Sequence, residues 1–181
     1  MKSPNKKQLS NMYNKSAYDY LCSADFTEVY EHAADFLIKK SSQSILDVGC
    51  WNGMFLKNLL KQGYDNKYIG FDLCSEAIQE ALKKYNGIKD IEFHTKSWYE
   101  MFNNKSFDSI YFGGVFYYID DKISFINKYI ESYNPRLIVI QDLQITDLSC
   151  FNVFSPNTKK FSVDIDVNIE RKNRQVITFE L

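Results

Sequence analysis

The sequence predicts a doubly wound α/β domain: a mostly parallel sheet of seven strands that ends in a C-terminal antiparallel hairpin. Three observations lead there. Short β-rich runs alternate with amphipathic helical stretches from Phe26 to Gln141, the pattern of a parallel sheet wrapped in helices. Leu137–Gln141 (LIVIQ) is apolar without alternation, as a strand covered on both faces should be. From Phe161 the chain changes to period-2 alternation, the mark of a hairpin with one buried face.

The elements follow in order. Residues 1–15 carry Lys2, Lys6, Lys7 and Lys15 and no acid, and read as a solvated basic arm with a short helix from about Lys7. Asp25 and Glu28 have capping-box spacing. Phe26, Val29, Tyr30, Ala33, Phe36 and Leu37 then share one helical face, which predicts a helix over Phe26–Lys39. SILDVG is the first strand, and Met54–Lys61 a helix closed by Gly63. Tyr68–Asp72 is the second strand; Ser75 caps a helix to about Tyr85 that Gly87 ends. Ile91–Thr95 is the third strand, Trp98–Phe102 one helical turn, and Phe107–Phe112 the fourth strand. Asp120 or Asp121 caps a helix through Tyr133, and Pro135 bars its continuation. The hairpin pairs Phe161–Ile169 with Ile177–Leu181 across a turn at Glu170–Arg174. The stretch Thr146–Lys160 has few helical signals and reads as a connector or a substrate loop.

Composition limits the function classes. At 181 residues, 45% hydrophobic and 25% charged, the chain is one globular domain. Its 14 Phe, 13 Tyr and 2 Trp exclude a disordered chain. Net charge is −1, which argues against a surface built as a whole to wrap nucleic acid. Cys22, Cys50, Cys74 and Cys150 form no CxxC pair, and His32 and His94 are the two histidines. Neither a metal site nor a disulfide framework is expected, and reduced thiols fit a cytoplasmic protein. The longest apolar run, Ile110–Ile119, has ten residues, whereas a bilayer span needs about 20. No membrane association is expected.

In a sheet of this kind ligands bind beyond the carboxyl ends of the strands. The first strand runs into Asp47-Val48-Gly49-Cys50-Trp51-Asn52-Gly53. Gly49 and Gly53 permit a tight turn and close backbone approach. The spacing is not GxGxxG and no GK[ST] follows, so neither a dinucleotide fingerprint nor a triphosphate loop is supported. An acid at Asp47 would repel a diphosphate and suits an ammonium group. Asp72, at the second strand end, can accept from both hydroxyls of a ribose. Together these acids point to a nucleoside that also carries a positively charged amino acid.

On these residues the sequence resembles the class I S-adenosylmethionine-dependent methyltransferases of small-molecule type, over roughly Tyr13–Leu181. ILDVGCWNG is similar to the first motif, with Trp51 in place of the central glycine; YIGFDLCSEAI is similar to the second; FDSIYFGGVFYYID resembles the fourth. HTKSW stands where a G-D-A segment is frequent, with Ser97 at the usual aspartate. The resemblance implies a Rossmann-like fold, S-adenosyl-L-methionine as cofactor, an N-terminal cap over 1–24 and a catalytic domain over 25–181. It implies cofactor contacts from Tyr18, Asp47, Gly49, Cys50, Trp51, Gly53, Asp72, Leu73, Ser97, Trp98, Phe112 and Gly113. Tyr13, Tyr20, Tyr117 and Tyr118 are the implied substrate contacts.

Plainer readings stand beside these. Phe112 and Phe116 suit a core, and Cys50 suits loop packing better than nucleophilic attack. His94 falls mid-strand and reads as structural. Asp120 is either a base or a helix cap, and no side chain is singled out as catalytic. The chain leaves little room for a target-recognition domain, so the implied reaction is methyl transfer to N or O of a small-molecule acceptor, with nucleic acid not expected as a partner. Two alternatives remain at this level: an RNA methyltransferase guided by the Lys2–Lys15 arm and the Arg171, Lys172, Arg174 turn, and a non-catalytic partner subunit, to which Trp51 and Ser97 point.

Overall fold

The computed structural model describes residues 7, 8, 11, 24–143, 160–169 and 172–181. The expected cap with Tyr13, Tyr18 and Tyr20 and the stretch 146–159 lie outside the described residues, and of residue 117 only the backbone is described.

The helices are α1 (Ala24–Lys39), α2 (Met54–Lys61), α3 (Ser75–Lys84) and α4 (Lys122–Tyr133). The strands are β1 (Ser44–Val48), β2 (Lys67–Asp72), β3 (Ile91–Thr95), β4 (Ser109–Gly113), β5 (Leu137–Leu143), β6 (Lys160–Ile169) and β7 (Lys172–Glu180). Among the described residues they form one seven-stranded sheet in the order β3-β2-β1-β4-β5-β7-β6. β1 to β5 are mutually parallel, β7 runs antiparallel to β5, and β6 runs antiparallel to β7 with a bulge between Val163 and Ile165. The doubly wound expectation holds.

Side-chain parity sends one set of residues to each face of the sheet. Ile45, Tyr68, Tyr111, Leu137 and Val139 join Val29, Ala33 and Leu37 of α1 and Phe55 and Leu59 of α2 in one core layer. Leu46, Val48, Ile69, Phe71, Ile110, Phe112, Ile138 and Ile140 join Phe125, Ile126, Tyr129 and Tyr133 of α4 in the other. LIVIQ thus feeds both layers, as its continuous apolarity predicted.

Helix ends follow local chemistry. α2 closes in a Schellman arrangement: Tyr64 N–H donates to Leu59 O (3.0 Å) and Gly63 N–H to Leu60 O (3.0 Å). Asp121, not Asp120, caps α4, its Oδ1 accepting from Ser124 N at 2.9 Å.

The structure departs from the local expectations at several points. Ser75 is the first helical residue of α3 rather than its cap, and Cys74 precedes it without a capping side-chain bond. Ser97–Glu100 is a single hydrogen-bonded turn (Glu100 N to Ser97 O, 3.0 Å), not a helical segment reaching Phe102. A 3-10 turn at Phe116–Tyr118 follows β4; its three residues are too few to show a period. β7 begins at Lys172, so Lys172–Arg174 are ladder residues rather than turn. Main-chain pairing makes them strand, which polar side chains do not announce. Val176, Ile177, Thr178 and Phe179 are all buried, because β7 lies inside the sheet and not at its edge.

Candidate functional site

The strand order reverses between β1 and β4, which open onto neighbouring loops at their carboxyl ends. This is where an open α/β sheet presents a crevice. The chain leaving β1 bends at once: Gly49 N–H and Cys50 N–H both donate to Phe71 O on β2, at 2.9 and 3.1 Å. Gly49 has φ +82, and a Cβ there would lie 2.2 Å from Val115 Cγ1 and 3.2 Å from Gly113 O. The β1 and β4 loops therefore interlock at a position only glycine fits. At Gly53 (φ +80) a Cβ would meet Tyr85 Cε2 at 2.5 Å, and Tyr85 Oη donates to Gly53 O at 2.6 Å.

Trp51, which stands where the motif it resembles has a glycine, takes a left-handed conformation, with φ 51. That geometry costs an L residue roughly 1–2 kcal/mol. In return its N–H reaches Asp72 Oδ2 at 3.1 Å, and its ring packs beside Leu73, Cys74 and Ala77.

Asp72 is buried, and its Oδ1 accepts from Cys74 N at 2.9 Å. One carboxylate thereby ties the loop after β1 to the loop after β2. Burial pushes its pKa up to about 6, against the pull of the Cys74 and Trp51 N–H groups. Asp47 is fully buried on β1, between Gly70 of β2 and Tyr111 of β4. Tyr68 Oη donates to its Oδ2. Burial lifts Asp47 to about 8; the Tyr68 bond opposes that rise and the nearby Asp72 charge adds to it.

Among the described residues three buried side-chain polar atoms have no hydrogen-bond partner: Asp47 Oδ1, Asn52 Oδ1 and Trp98 Nε1. Each such group costs roughly 1–3 kcal/mol. All three belong to the carboxyl end of the sheet, at the tip of β1, in the turn before α2 and in the turn after β3. Asn52 donates through Nδ2 to Glu80 Oε1 at 3.0 Å, so its free atom is an acceptor.

The remaining expected contacts divide. Ser97 and Trp98 stand just past β3, which is tied to β2 by Lys96 N–H to Asp72 O (2.9 Å). Tyr129 Oη holds the Trp98 carbonyl at 2.5 Å, and the Trp98 ring stacks on Tyr118 at 5.7 Å. Gly113 lies at the tip of β4 against the Gly49 loop. Phe112 differs from its neighbours: its ring is fully buried among Phe116, Phe125 and Tyr129. Only its main chain is left to face a ligand. Cys50 is buried and its thiol is held protonated by burial and by Asp47, so it packs rather than reacts. His94 sits part-exposed on the edge strand β3, 3.1 Å from Glu92 Oε2.

Sequence reasoning missed Tyr68, Asn52, Tyr85 and Val115. The first had a signal: a tyrosine in a buried strand needs a partner for its hydroxyl.

A glycine-bearing turn after β1, a buried carboxylate at the tip of β2 and this strand order define the Rossmann-like methyltransferase fold. The family model described as Methyltransferase domain matches residues 39–173, and the chain belongs to that family. It is similar to malonyl-[acyl-carrier protein] O-methyltransferase 1 of Ilyobacter polytropus, with 25% identity over 127 residues. The match covers 67% of this chain and 46% of the relative, so the chain spans about half that protein's length.

Solved structures share the fold. The N-methyltransferase NodS of Bradyrhizobium japonicum, in complex with S-adenosyl-L-homocysteine, superposes with TM-score 0.75 at 14% identity, over 98% of each chain. Magnesium protoporphyrin IX methyltransferase of Synechocystis, with bound SAM, gives 0.74 at 11% identity, over 98% of this chain and 97% of that one. The plantazolicin methyltransferase BpumL, in complex with SAH, gives 0.70 at 16% identity, over 97% of this chain and 95% of that one. No helix among the described residues is long and apolar enough to cross a membrane.

Proposed function

We propose that this chain is an S-adenosylmethionine-dependent methyltransferase that acts on an N or O atom of a small-molecule acceptor. One observation carries the reading: the three buried side-chain polar atoms left unpaired among the described residues belong to residues at or just past the carboxyl ends of β1 and β3, the two strands that flank β2 and its Asp72. Buried polar groups are otherwise paired almost without exception, so unpaired ones at that end of the sheet are what a polar ligand would satisfy. The family and the SAM- or SAH-bound neighbours agree with that ligand.

The donor set fits it. Asp72 would accept from the ribose hydroxyls and Asp47 Oδ1 from the ammonium group. Leu73 and Trp51 would flank the base, with Ser97 and Trp98 at its far end, and the Gly49–Gly53 turn would bring main chain close. Bound there, the cofactor supplies a methyl group activated on a sulfonium sulfur. The chain would supply orientation and exclude water, with the close Gly49–Val115 approach and the Trp98–Tyr118 stack supporting the reading. Tyr118, with Tyr13, Tyr20 and Tyr117, would hold the acceptor, and residues 1–24 with Tyr18 would serve as the cap. Aligning two reactants in this way can account for ~7–11 kcal/mol of barrier lowering.

Calorimetric titration with S-adenosylhomocysteine tests the reading. Micromolar binding is expected, weakened tenfold or more in Asp72→Ala. No binding by the intact folded chain would refute it. Binding without turnover across a broad acceptor panel would replace the enzyme by a non-catalytic subunit.

A further inference from the structure

We infer that Tyr68 is a positioning residue for Asp47: its hydroxyl occupies Oδ2, so that Oδ1 alone is presented to the ligand's ammonium group. The inference rests on the cofactor reading above and goes beyond it, because it assigns a role to a strand-interior residue that touches no ligand.

The geometry comes from the sheet register. Tyr68 pairs with Ile45 in the parallel ladder, and Asp47 lies two residues further along β1 on the same face. A tyrosine at this rung therefore reaches diagonally toward the carboxyl end of the neighbouring strand and meets Asp47. The same device recurs two strands away, where Tyr111 of β4 donates to Gln141 of β5. Space opposite Asp47 is kept by Gly70, where a Cβ would meet Cys50 Sγ at 2.9 Å and Phe93 Cε1 at 3.0 Å. With Oδ2 bonded to Tyr68, Oδ1 remains the one unsatisfied atom of Asp47.

The bond also governs the charge on Asp47. The titratable groups that face it are Tyr68 and Asp72 from β2, Cys50 from the loop after β1, Tyr85 from the end of α3 and Tyr111 from β4. None is a cation. Burial and the Asp72 charge raise the Asp47 pKa, and the Tyr68 hydroxyl counters them. Without that hydroxyl the carboxyl would hold its proton to still higher pH, and a larger share of it would meet an ammonium group as a neutral acid.

The test compares wild type, Tyr68→Phe, Asp47→Asn and the double variant, with folding checked by circular-dichroism melts. Each unit by which the Asp47 midpoint rises further above the assay pH costs about tenfold in its charged fraction. Tyr68→Phe is therefore expected to weaken S-adenosylhomocysteine at pH 7 by about that factor. In the Asp47→Asn background the same change should cost less than about threefold. Carboxyl-carbon NMR of labelled aspartate should show the Asp47 midpoint moving up in Tyr68→Phe. Tyr64→Phe, which removes a hydroxyl bonded to Lys67 O, should leave that midpoint in place.

Unchanged affinity in Tyr68→Phe, or an equal loss with Asp47 and Asn at position 47, overturns the inference and leaves the cofactor reading intact. If Tyr68→Phe does not fold, the wild-type titration decides. An Asp47 midpoint that falls on ligand binding supports the role, and one that does not move overturns it. Failure of wild type to bind at all overturns both.

Discussion

Gly49→Ala is the sharpest perturbation of the interlock between the β1 and β4 loops. The added methyl would lie 2.2 Å from Val115 Cγ1 and 3.2 Å from Gly113 O, on a residue at φ +82. Two costs arise and they are separable. The left-handed backbone costs alanine roughly 1–2 kcal/mol wherever its neighbours lie. The overlap with Val115 costs a further ~1–3 kcal/mol, typical of an extra methyl in a close-packed region. Together these give about 2–5 kcal/mol. At ~2–4 °C per kcal/mol for a domain of this size, the unfolding midpoint should fall by roughly 4–20 °C. Val115→Ala removes the offending Cγ1, and its Cβ lies 3.7 Å from the new methyl, an ordinary contact. In that background Gly49→Ala should cost the backbone part and the milder 3.2 Å approach to Gly113 O. The double-mutant cycle in urea should therefore return a coupling of about 1–3 kcal/mol that favours the double variant, with m-values unchanged. Equal cost of Gly49→Ala in both backgrounds would refute the interlock, and no loss at all would refute the left-handed turn as well.

Two further outcomes are expected. Asp47 and Asp72 have native values of about 8 and about 6 against an ordinary 3.8, so between these limits the folded chain holds protons that the unfolded chain releases. Their contribution is fully present below about pH 4 and is lost as pH rises through 6 and 8. The thermal midpoint of the ligand-free protein should fall from pH 5 to pH 8.5, and Asp47→Asn should flatten that slope; an unaltered slope in the variant would contradict the burial of Asp47. The chain's two tryptophans, Trp51 and Trp98, both stand at the site. S-adenosylhomocysteine should therefore change the intrinsic emission, with Trp51→Phe and Trp98→Phe each removing part of the change. Unchanged emission in a complex verified by calorimetry would place neither indole beside the ligand.

What the sequence disclosed depended on which physical cause fixed each element. Strands decided by burial, such as Leu137–Gln141, were legible because their buried positions Leu137, Ile138, Val139 and Ile140 are all apolar. Lys172–Arg174 owe their strand conformation to main-chain pairing with β6, and the 3-10 turn at Phe116–Tyr118 is shorter than a period. Neither cause leaves a pattern in side chains. In the site, Asp47, Asp72, Gly49 and Gly53 were legible because charge and positive φ restrict residue type. Phe112 was only half legible: the motif located its backbone, but not the ring's place among Phe116, Phe125 and Tyr129.

Trp51 and Tyr68 show the two ways a binding loop can be set without a sequence signature. At Trp51 the motif lacks its middle glycine, yet the backbone follows the left-handed path. Its neighbours over-determine it: Gly49 and Cys50 are pinned to Phe71 O, Gly53 N–H is pinned to Cys50 O, and Asp72 draws the Trp51 N–H inward. The roughly 1–2 kcal/mol of strain persists because releasing it would break at least one hydrogen bond to a buried carboxylate, itself worth ~1.5–3 kcal/mol. Tyr68 reads in the sequence as one more apolar strand residue, because hydrophobic periodicity records burial and is blind to a hydroxyl. Its meaning appears only once the β1–β2 register is known, since a slip of one residue would turn Tyr68 to the opposite face from Asp47. The carboxylate that reads as the ammonium acceptor is thus set by strand pairing as much as by the motif that contains it.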